Sequence, residues 1–248
     1  MKIATWNVNG IRAREAQLCA WLERDRPDVV CLQELKAEAA QIPASCHLDD
    51  YHIYWHGLRA YSGVSLHVRK GAFADAPAFS HPAFDMESRI VQATIGNTVL
   101  ASVYVPNGGK DYAGKIAFLE QLVEWARAQH AAGREVVLCG DLNIARDDVD
   151  VHPKERKPGV IGQRPEERAL FDRLLGDHFV DVGRARQPDN ERLFTWWPPW
   201  RNMRQRNIGW RIDYILASKA IADRVTDCVV LADVGTSDHA PVMMTTAA

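Results

Sequence analysis

Val136-Val137-Leu138-Cys139-Gly140-Asp141-Leu142-Asn143 decides how this chain folds. The first four residues are apolar without a polar break, which predicts a strand buried on both faces. The run then ends at Gly140 and delivers a carboxylate and a carboxamide. A doubly buried strand hides such groups poorly, because each uncompensated polar group costs roughly 1–3 kcal/mol. Asp141 and Asn143 are therefore expected at the strand's C-terminal edge, two residues apart and on one side of it. Alone, the pattern could equally be an Asx-type turn after a strand. The rest of the chain repeats the device.

Upstream, Ile3, Thr5, Asn7 and Asn9 alternate with Lys2, Ala4, Trp6 and Val8. This predicts an N-terminal strand that brings Asn7 and Asn9 to its end, closed by Gly10. Leu18, Trp21 and Leu22 mark a short helix that Pro27 stops. Residues 28–34 form a second buried strand, ending in Glu34, whose plainer reading is a charge opening the next segment. Residues 51–68 alternate and are rich in aromatics, as in a hairpin. Residues 89–94 and 98–105 make another, turning at Gly96-Asn97. Pro106 cannot continue a central strand, so Tyr104 stands at a strand end, where a tyrosine more often packs than reacts.

Downstream, Ile116, Leu119, Leu122, Val123 and Ala126 have helical spacing, and Gly133 ends that helix. Residues 147–167 are polar and predict a long surface loop. Leu170, Phe171, Leu174 and Leu175 mark a short helix. Residues 184–211 carry seven arginines (Arg184, Arg186, Arg192, Arg201, Arg204, Arg206 and Arg211) among Phe194, Trp196, Trp197, Trp200 and Trp210. Basic side chains interleaved with aromatics suit phosphate contacts and stacking, or else a solvated loop over a tryptophan-rich core. Asp213 then lies inside an apolar strand and needs a partner. The last strand pair carries Ser237-Asp238-His239-Ala240-Pro241.

The composition is that of a soluble globular protein: 248 residues, 47% hydrophobic and 25% charged, with net charge −2. That charge argues against non-specific polyanion binding by the whole surface, but permits a local basic face. Five cysteines without a C-x-x-C pair read as small buried hydrophobes in a reducing, cytoplasmic setting. No signal peptide or membrane span is expected. Nothing marks an interface, so a monomer is the default.

The polar groups expected at strand ends are Asn7, Asn9, Glu34, Tyr104, Asp141, Asn143, Asp213, Asp238 and His239. Carboxylates and carboxamides with one histidine and no cysteine suit a hard divalent cation, Mg²⁺ or Mn²⁺. Asp213 and His239 could be an orienting pair. Together these groups make a site for attack on a phosphate ester. No P-loop or G-x-G-x-x-G occurs, so no nucleotide cofactor is indicated.

WNVNGIR (6–12), LQELK (32–36), VYVPNGG (103–109), GDLNIA (140–145), GWRIDYILAS (209–218) and SDHAPV (237–242) occur in that order. Over residues 1–242 the chain resembles the exonuclease III family of apurinic/apyrimidinic endonucleases, within the endonuclease/exonuclease/phosphatase superfamily. GDLN and SDHAP indicate only the superfamily, and the other segments narrow it to the DNA-repair branch.

The resemblance implies one domain over residues 1–248, folded as a four-layered α/β sandwich: two mixed sheets face to face with helices outside. It implies Mg²⁺-dependent cleavage of duplex DNA 5′ to abasic sites, cleaning of blocked 3′ ends and variable 3′→5′ exonuclease activity. By the same resemblance, Glu34 is the main metal ligand with Asn7 beside it, and Asp141, Asn143, Asp238 and His239 complete the metal set. Asp141 is the general base, Asn143 orients water or phosphate, and His239, polarised by Asp213, contacts the scissile phosphate. Asp238 binds a second metal or assists the leaving group. Tyr104 donates to the phosphate or acts as a phenolate. Asn9, Asn107, Lys110, Trp200 and Arg206 are candidate DNA contacts, and Trp196, Trp210 and Ile212 wall a pocket for a flipped abasic sugar.

The segment His152-Pro153-Lys154-Glu155-Arg156-Lys157-Pro158-Gly159-Val160-Ile161-Gly162-Gln163 departs from the family pattern N-P-K-x-N-x-K-x-A-G-F. Its asparagines and A-G-F are gone, with one residue inserted. The departure leaves a 3′→5′ exonuclease or 3′-repair specialist as the alternative. A superfamily phosphatase acting on a phospholipid or inositol phosphate is a weaker one, and a non-catalytic DNA-binding module the weakest.

Overall fold

A computed structural model describes residues 1–58, 60–176 and 178–247. The chain opens with a crossover unit: β1 (Lys2–Asn7), α1 (Ile11–Asp25) and β2 (Val29–Gln33), with β1 and β2 parallel. A parallel pair needs such a covering helix. The helix is longer than Leu18, Trp21 and Leu22 alone indicated, and Arg26 ends it in the left-handed conformation. β3 (Tyr51–Leu58) and β4 (Tyr61–Arg69) form the first hairpin, with Arg59 at its tip outside the described residues. A short β5 (Ala78–Ser80) precedes the second hairpin, β6 (Ile90–Ile95) and β7 (Thr98–Tyr104), which turns at Gly96 and Asn97.

A second crossover unit follows. α2 (Tyr112–Ala131) connects β7 to β8 (Glu135–Asp141), again in parallel. α3 (Pro165–Leu175), β9 (Phe179–Asp181), α4 (Val182–Arg186), β10 (Asp213–Ser218), α5 (Lys219–Ala222), β11 (Val225–Val230) and β12 (Val242–Thr246) complete the chain. One sheet runs β11-β12-β1-β2-β4-β3, the other β5-β6-β7-β8-β10-β9.

Each central strand buries both faces. Ile3, Cys31 and Leu66 of the first sheet meet Leu100, Val137, Cys139 and Ile215 of the second. The opposite face of the first sheet, through Ala4, Trp6 and Leu32, packs on Leu18, Trp21 and Leu22 of α1. The outer face of the second, through Val103, Val136 and Leu138, packs on Phe118, Leu122 and Phe171. The result is the expected four layers.

The topology decides where polar ends collect. The parallel strands β1, β2, β7 and β8 finish at one edge, while the antiparallel β10 and β12 begin there. Register places both Tyr104 and Asp213 opposite Asp141. Gly140 is required in this arrangement, because a Cβ there would lie 1.9 Å from the Val103 carbonyl oxygen.

Residues 147–167 are more ordered than a surface loop. Asp150 is fully buried and takes both Arg211 and Arg184 as ion partners, Val151 bridges to Trp210, and α3 starts at Pro165. Arg211 also pairs with Asp181 at 2.8 Å. Two of the seven arginines of the basic region are therefore tied into buried ion pairs and do not present a cationic face. Burial holds Asp150 under an opposing desolvation cost, yet the two guanidinium groups keep its carboxyl below the usual range.

Candidate active site

The groups at the shared edge form one network. The Asn7 side-chain amide donates to Glu34 Oε1 and to Asp141 Oδ2, each at 2.9 Å. Its two N–H bonds thus hold together a carboxylate from each sheet. Its oxygen accepts from the Asn9 backbone N–H at 3.0 Å. Asn9 donates onward to Asp238 Oδ1 at 2.7 Å, and Trp196 Nε1 donates to Asp238 Oδ2 at 3.0 Å. Asp141 Oδ1 accepts from the Asn143 N–H at 2.9 Å, while the Asn143 amide donates to the Val105 carbonyl. Asn9, Glu34 and Asn143 all adopt positive φ, at 47°, 53° and 51°. Non-glycine residues are held there at a cost of order 1–3 kcal/mol, and such positions gather at working sites.

His239 is buried against Asp213, whose two oxygens lie 3.1 and 2.9 Å from Nδ1. Its Nε2 points toward Asp141 Oδ2, 3.8 Å away. Burial opposes a charged ring, but Asp213, Asp141 and Asp238 prevail and push its pKa up to about 10. An imidazolium donates hydrogen bonds and does not ligate a metal, so the arrangement favours the phosphate-contact role over the ligand role. Asp141 shifts upward too, to about 7, chiefly through burial and despite His239. Burial also acts to raise Glu34, but the Asn7 amide and the Lys36 ammonium outweigh it and hold Glu34 below the usual range. Asp238 is likewise held low, against burial, by His239 and by its Asn9 and Trp196 partners. Tyr104 is pushed far above an ordinary phenol by burial, then by Glu34 and Asp141. It is a donor here, which argues against the phenolate role.

Glu34, Asp141 and His239 each offer a ligand atom within 4.8 Å of the others. With His239 charged, the donors are carboxylate oxygens, which fit a hard divalent cation. Asp238 stands outside this cluster with both oxygens engaged, and Asn143 is turned to Val105 and Asp141.

A cavity of about 270 Å³ opens over the network. Trp196, Trp210 and Ile212 wall it as expected, joined by Ile161 from the divergent segment, and Asn107 stands at its rim. Trp200 is 57% exposed and lines a neighbouring groove of about 400 Å³ that also reaches Asn9 and Asp238. Arg206 is exposed and contributes to neither cavity, its guanidinium bonding only the Arg201 carbonyl. Lys110 is exposed outside the cavity, 5.9 Å from the Tyr61 ring centroid.

Four residues with clear places in this network were not singled out from sequence. Lys36 pairs with Glu34 at 2.8 Å and donates to Asn9. Arg89, 2% exposed, lies 4.8 Å from the Tyr104 ring centroid. Ser237 donates to the Asn7 carbonyl at 2.7 Å. Lys115, fully buried and paired with Glu167, donates to the Asn143 carbonyl at 2.8 Å. Lys36 and Ser237 sit inside LQELK and SDHAPV, where adjacency to Glu34 and Asp238 was the available signal.

Residues 4–239 match the endonuclease/exonuclease/phosphatase family. An exodeoxyribonuclease from Bacillus subtilis is 32% identical over 252 residues, covering 98% of each chain. Among solved structures, an AP endonuclease from Archaeoglobus fulgidus superposes with a TM-score of 0.88 at 30% identity over 99% of each chain. A 3′-5′ exonuclease (NExo) from Neisseria meningitidis does so with a TM-score of 0.89 at 32% identity, also over 99% of each chain.

Proposed function

The chain belongs to the endonuclease/exonuclease/phosphatase family, and from that premise we propose that it is a Mg²⁺-dependent DNA-repair phosphodiesterase. It cuts duplex DNA 5′ to abasic sites and clears blocked 3′ ends. The observation that carries this reading is the pairing of the acidic network with a small cavity walled by Trp196, Trp210, Ile212 and Ile161. A small slot with one apolar wall beside a hydrolytic centre suits an extruded sugar that lacks its base.

The residues divide the work by charge. Asp141, near neutrality in its proton affinity, accepts the proton of the attacking water. Asn143 fixes one Asp141 oxygen through its N–H, and its side-chain oxygen, met at 3.4 Å by the Asn107 amide, orients phosphate or water. His239, charged and aligned by Asp213, donates Nε2–H to a phosphoryl oxygen, and Tyr104 donates its phenol proton to another. Glu34 would be the main ligand of Mg²⁺, or of Mn²⁺ in its place, beside Asp141, and the ion would supply charge neutralisation on the phosphoryl oxygens. Asp238 positions Asn9 and Trp196.

The alternative is a 3′→5′ exonuclease or 3′-end processing enzyme. The likeness to NExo and the divergent segment that supplies Ile161 favour it. A duplex with one internal abasic-site analogue separates the two. A single EDTA-sensitive cut on the 5′ side is expected, whereas shortening from the 3′ end with little internal cutting would establish the alternative. The proposal also includes a monomer working in the cytoplasm, in keeping with five unpaired cysteines. Gel filtration alone and with DNA tests the monomer.

A further inference from the structure

A second group of metal-binding side chains lies away from the catalytic network. His56 on β3, His81 just beyond β5, and Asp85 each bring a ligand atom within 4.8 Å of the others. His56 Nε2 and Asp85 Oδ2 are 2.6 Å apart, and the His56 and His81 rings stack with centroids 4.6 Å apart. We propose that His56, His81 and Asp85 form a binding site for a borderline divalent cation, Zn²⁺ by preference, that fastens the outer edges of the two sheets to each other.

The donor chemistry separates this site from the catalytic one. Two imidazoles and one carboxylate suit zinc, cobalt or nickel, whereas carboxylates without neutral imidazole suit magnesium. Tetrahedral zinc with bonds of ~2.1 Å places its ligand atoms about 3.4 Å apart. One donor pair is closer than that, at 2.6 Å, and all three donors lie within 4.8 Å of one another, so binding requires the stacked His56 and His81 rings to turn their nitrogens toward a common point. Any proton between His56 Nε2 and Asp85 Oδ2 leaves to solvent as the cation enters. The fourth position opens to water beside His81, which is exposed.

The surroundings are built to hold the ligands. Asp85 Oδ1 accepts from the backbone N–H groups of Arg89 and Ile90, at 2.8 and 3.0 Å, so the carboxylate is fixed with Oδ2 turned to His56. Tyr54, stacked on Phe79, lies beside His56 and shields that side. Carboxylate anchoring and an apolar flank are what orient metal ligands elsewhere.

The location gives the site a use. β3 ends one sheet and β5 begins the other. Both are edge strands, the places where a sandwich opens first and where foreign strands add. A cation held by His56 from the first sheet and by His81 and Asp85 from the second would close that side.

The test is a Zn²⁺ titration by calorimetry on the full chain in excess Mg²⁺, comparing wild type with His81→Asn. Among the described residues His81 makes no side-chain hydrogen bond and is exposed, so the variant loses a ligand and the stacking on His56. Wild type is expected to bind one more Zn²⁺ than the variant, or the same ion at least tenfold more tightly. Zn²⁺ should raise the Tm of wild type and not of the variant. Co²⁺ should give tetrahedral visible bands in wild type that His81→Asn lacks. Cleavage of abasic duplex in Mg²⁺ should be equal in both. Identical Zn²⁺ binding and Co²⁺ spectra in the two proteins would place the ion in the catalytic cleft and overturn the proposal.

Discussion

Asp213→Asn keeps the size of the side chain and removes its charge from beside His239. In wild type both Asp213 oxygens face Nδ1 within 3.1 Å, and both side chains are buried. Raising the imidazole from its ordinary 6.5 to about 10 represents a preference for the charged ring of roughly 5 kcal/mol. Asp141 and Asp238 share in that preference, but Asp213 alone is hydrogen-bonded to the ring. If Asp213 supplies about half, the variant ring titrates near ~8. The sign follows from the direction of the shift. His239 is held charged by the fold, so its contribution to stability is complete below its ordinary pKa and is lost as pH rises through about 10. In the variant that loss comes earlier. The assay is kcat/KM on an abasic duplex across pH, with Tm measured in parallel. Wild type should show an acidic limb from Asp141, near 7 without metal and lower with Mg²⁺ in the cluster, and an alkaline limb near 10 from His239. Asp213→Asn should move the alkaline limb toward ~8 and lower the maximum by about 10²–10⁴, the range for a misaligned general acid–base group. An unmoved alkaline limb would refute the assignment of His239 as the charged donor.

Asp141→Asn should reduce turnover by ~10³ or more while abasic DNA is still bound in a gel-shift assay; normal turnover would mean another base. Tyr104→Phe should cost about 10²-fold in kcat, the lower end for one lost hydrogen-bond donor; a loss as complete as that of Asp141→Asn would restore the phenolate reading. Arg211→Gln leaves buried Asp181 without its guanidinium and buried Asp150 with Arg184 alone, and should destabilise the protein by ~3–5 kcal/mol in urea denaturation; a change below 1 kcal/mol would show that water replaces the guanidinium freely.

What could be read from the sequence was whatever the backbone period alone dictates. Asp141, Glu34 and Asn7 follow apolar runs, and a strand with two buried faces must release such groups at its end, so their convergence needed only the sheets' common edge. Arg184 and Arg211 show the limit. Nothing local distinguishes an arginine that meets DNA from one that meets Asp150 some distance away in sequence, because the burial of the partner decides it. The same holds for Lys115 and Arg89, whose neighbours come from other elements. Asp150 has the local pattern of a polar loop because its ion partners lie beyond it, and Ile161 reaches the cavity only once Gly162 turns the segment against Trp210.

One amide joins the two halves of the centre: Asn7 holds Glu34 from the first sheet and Asp141 from the second. Neither carboxylate is correctly oriented until the sheets have docked. A nascent or partly unfolded chain whose sheets have not docked therefore lacks the aligned centre. For an enzyme of this kind, completion of tertiary structure acts as a safety catch: the capacity to sever a strand is the last property the polypeptide acquires and the first it surrenders.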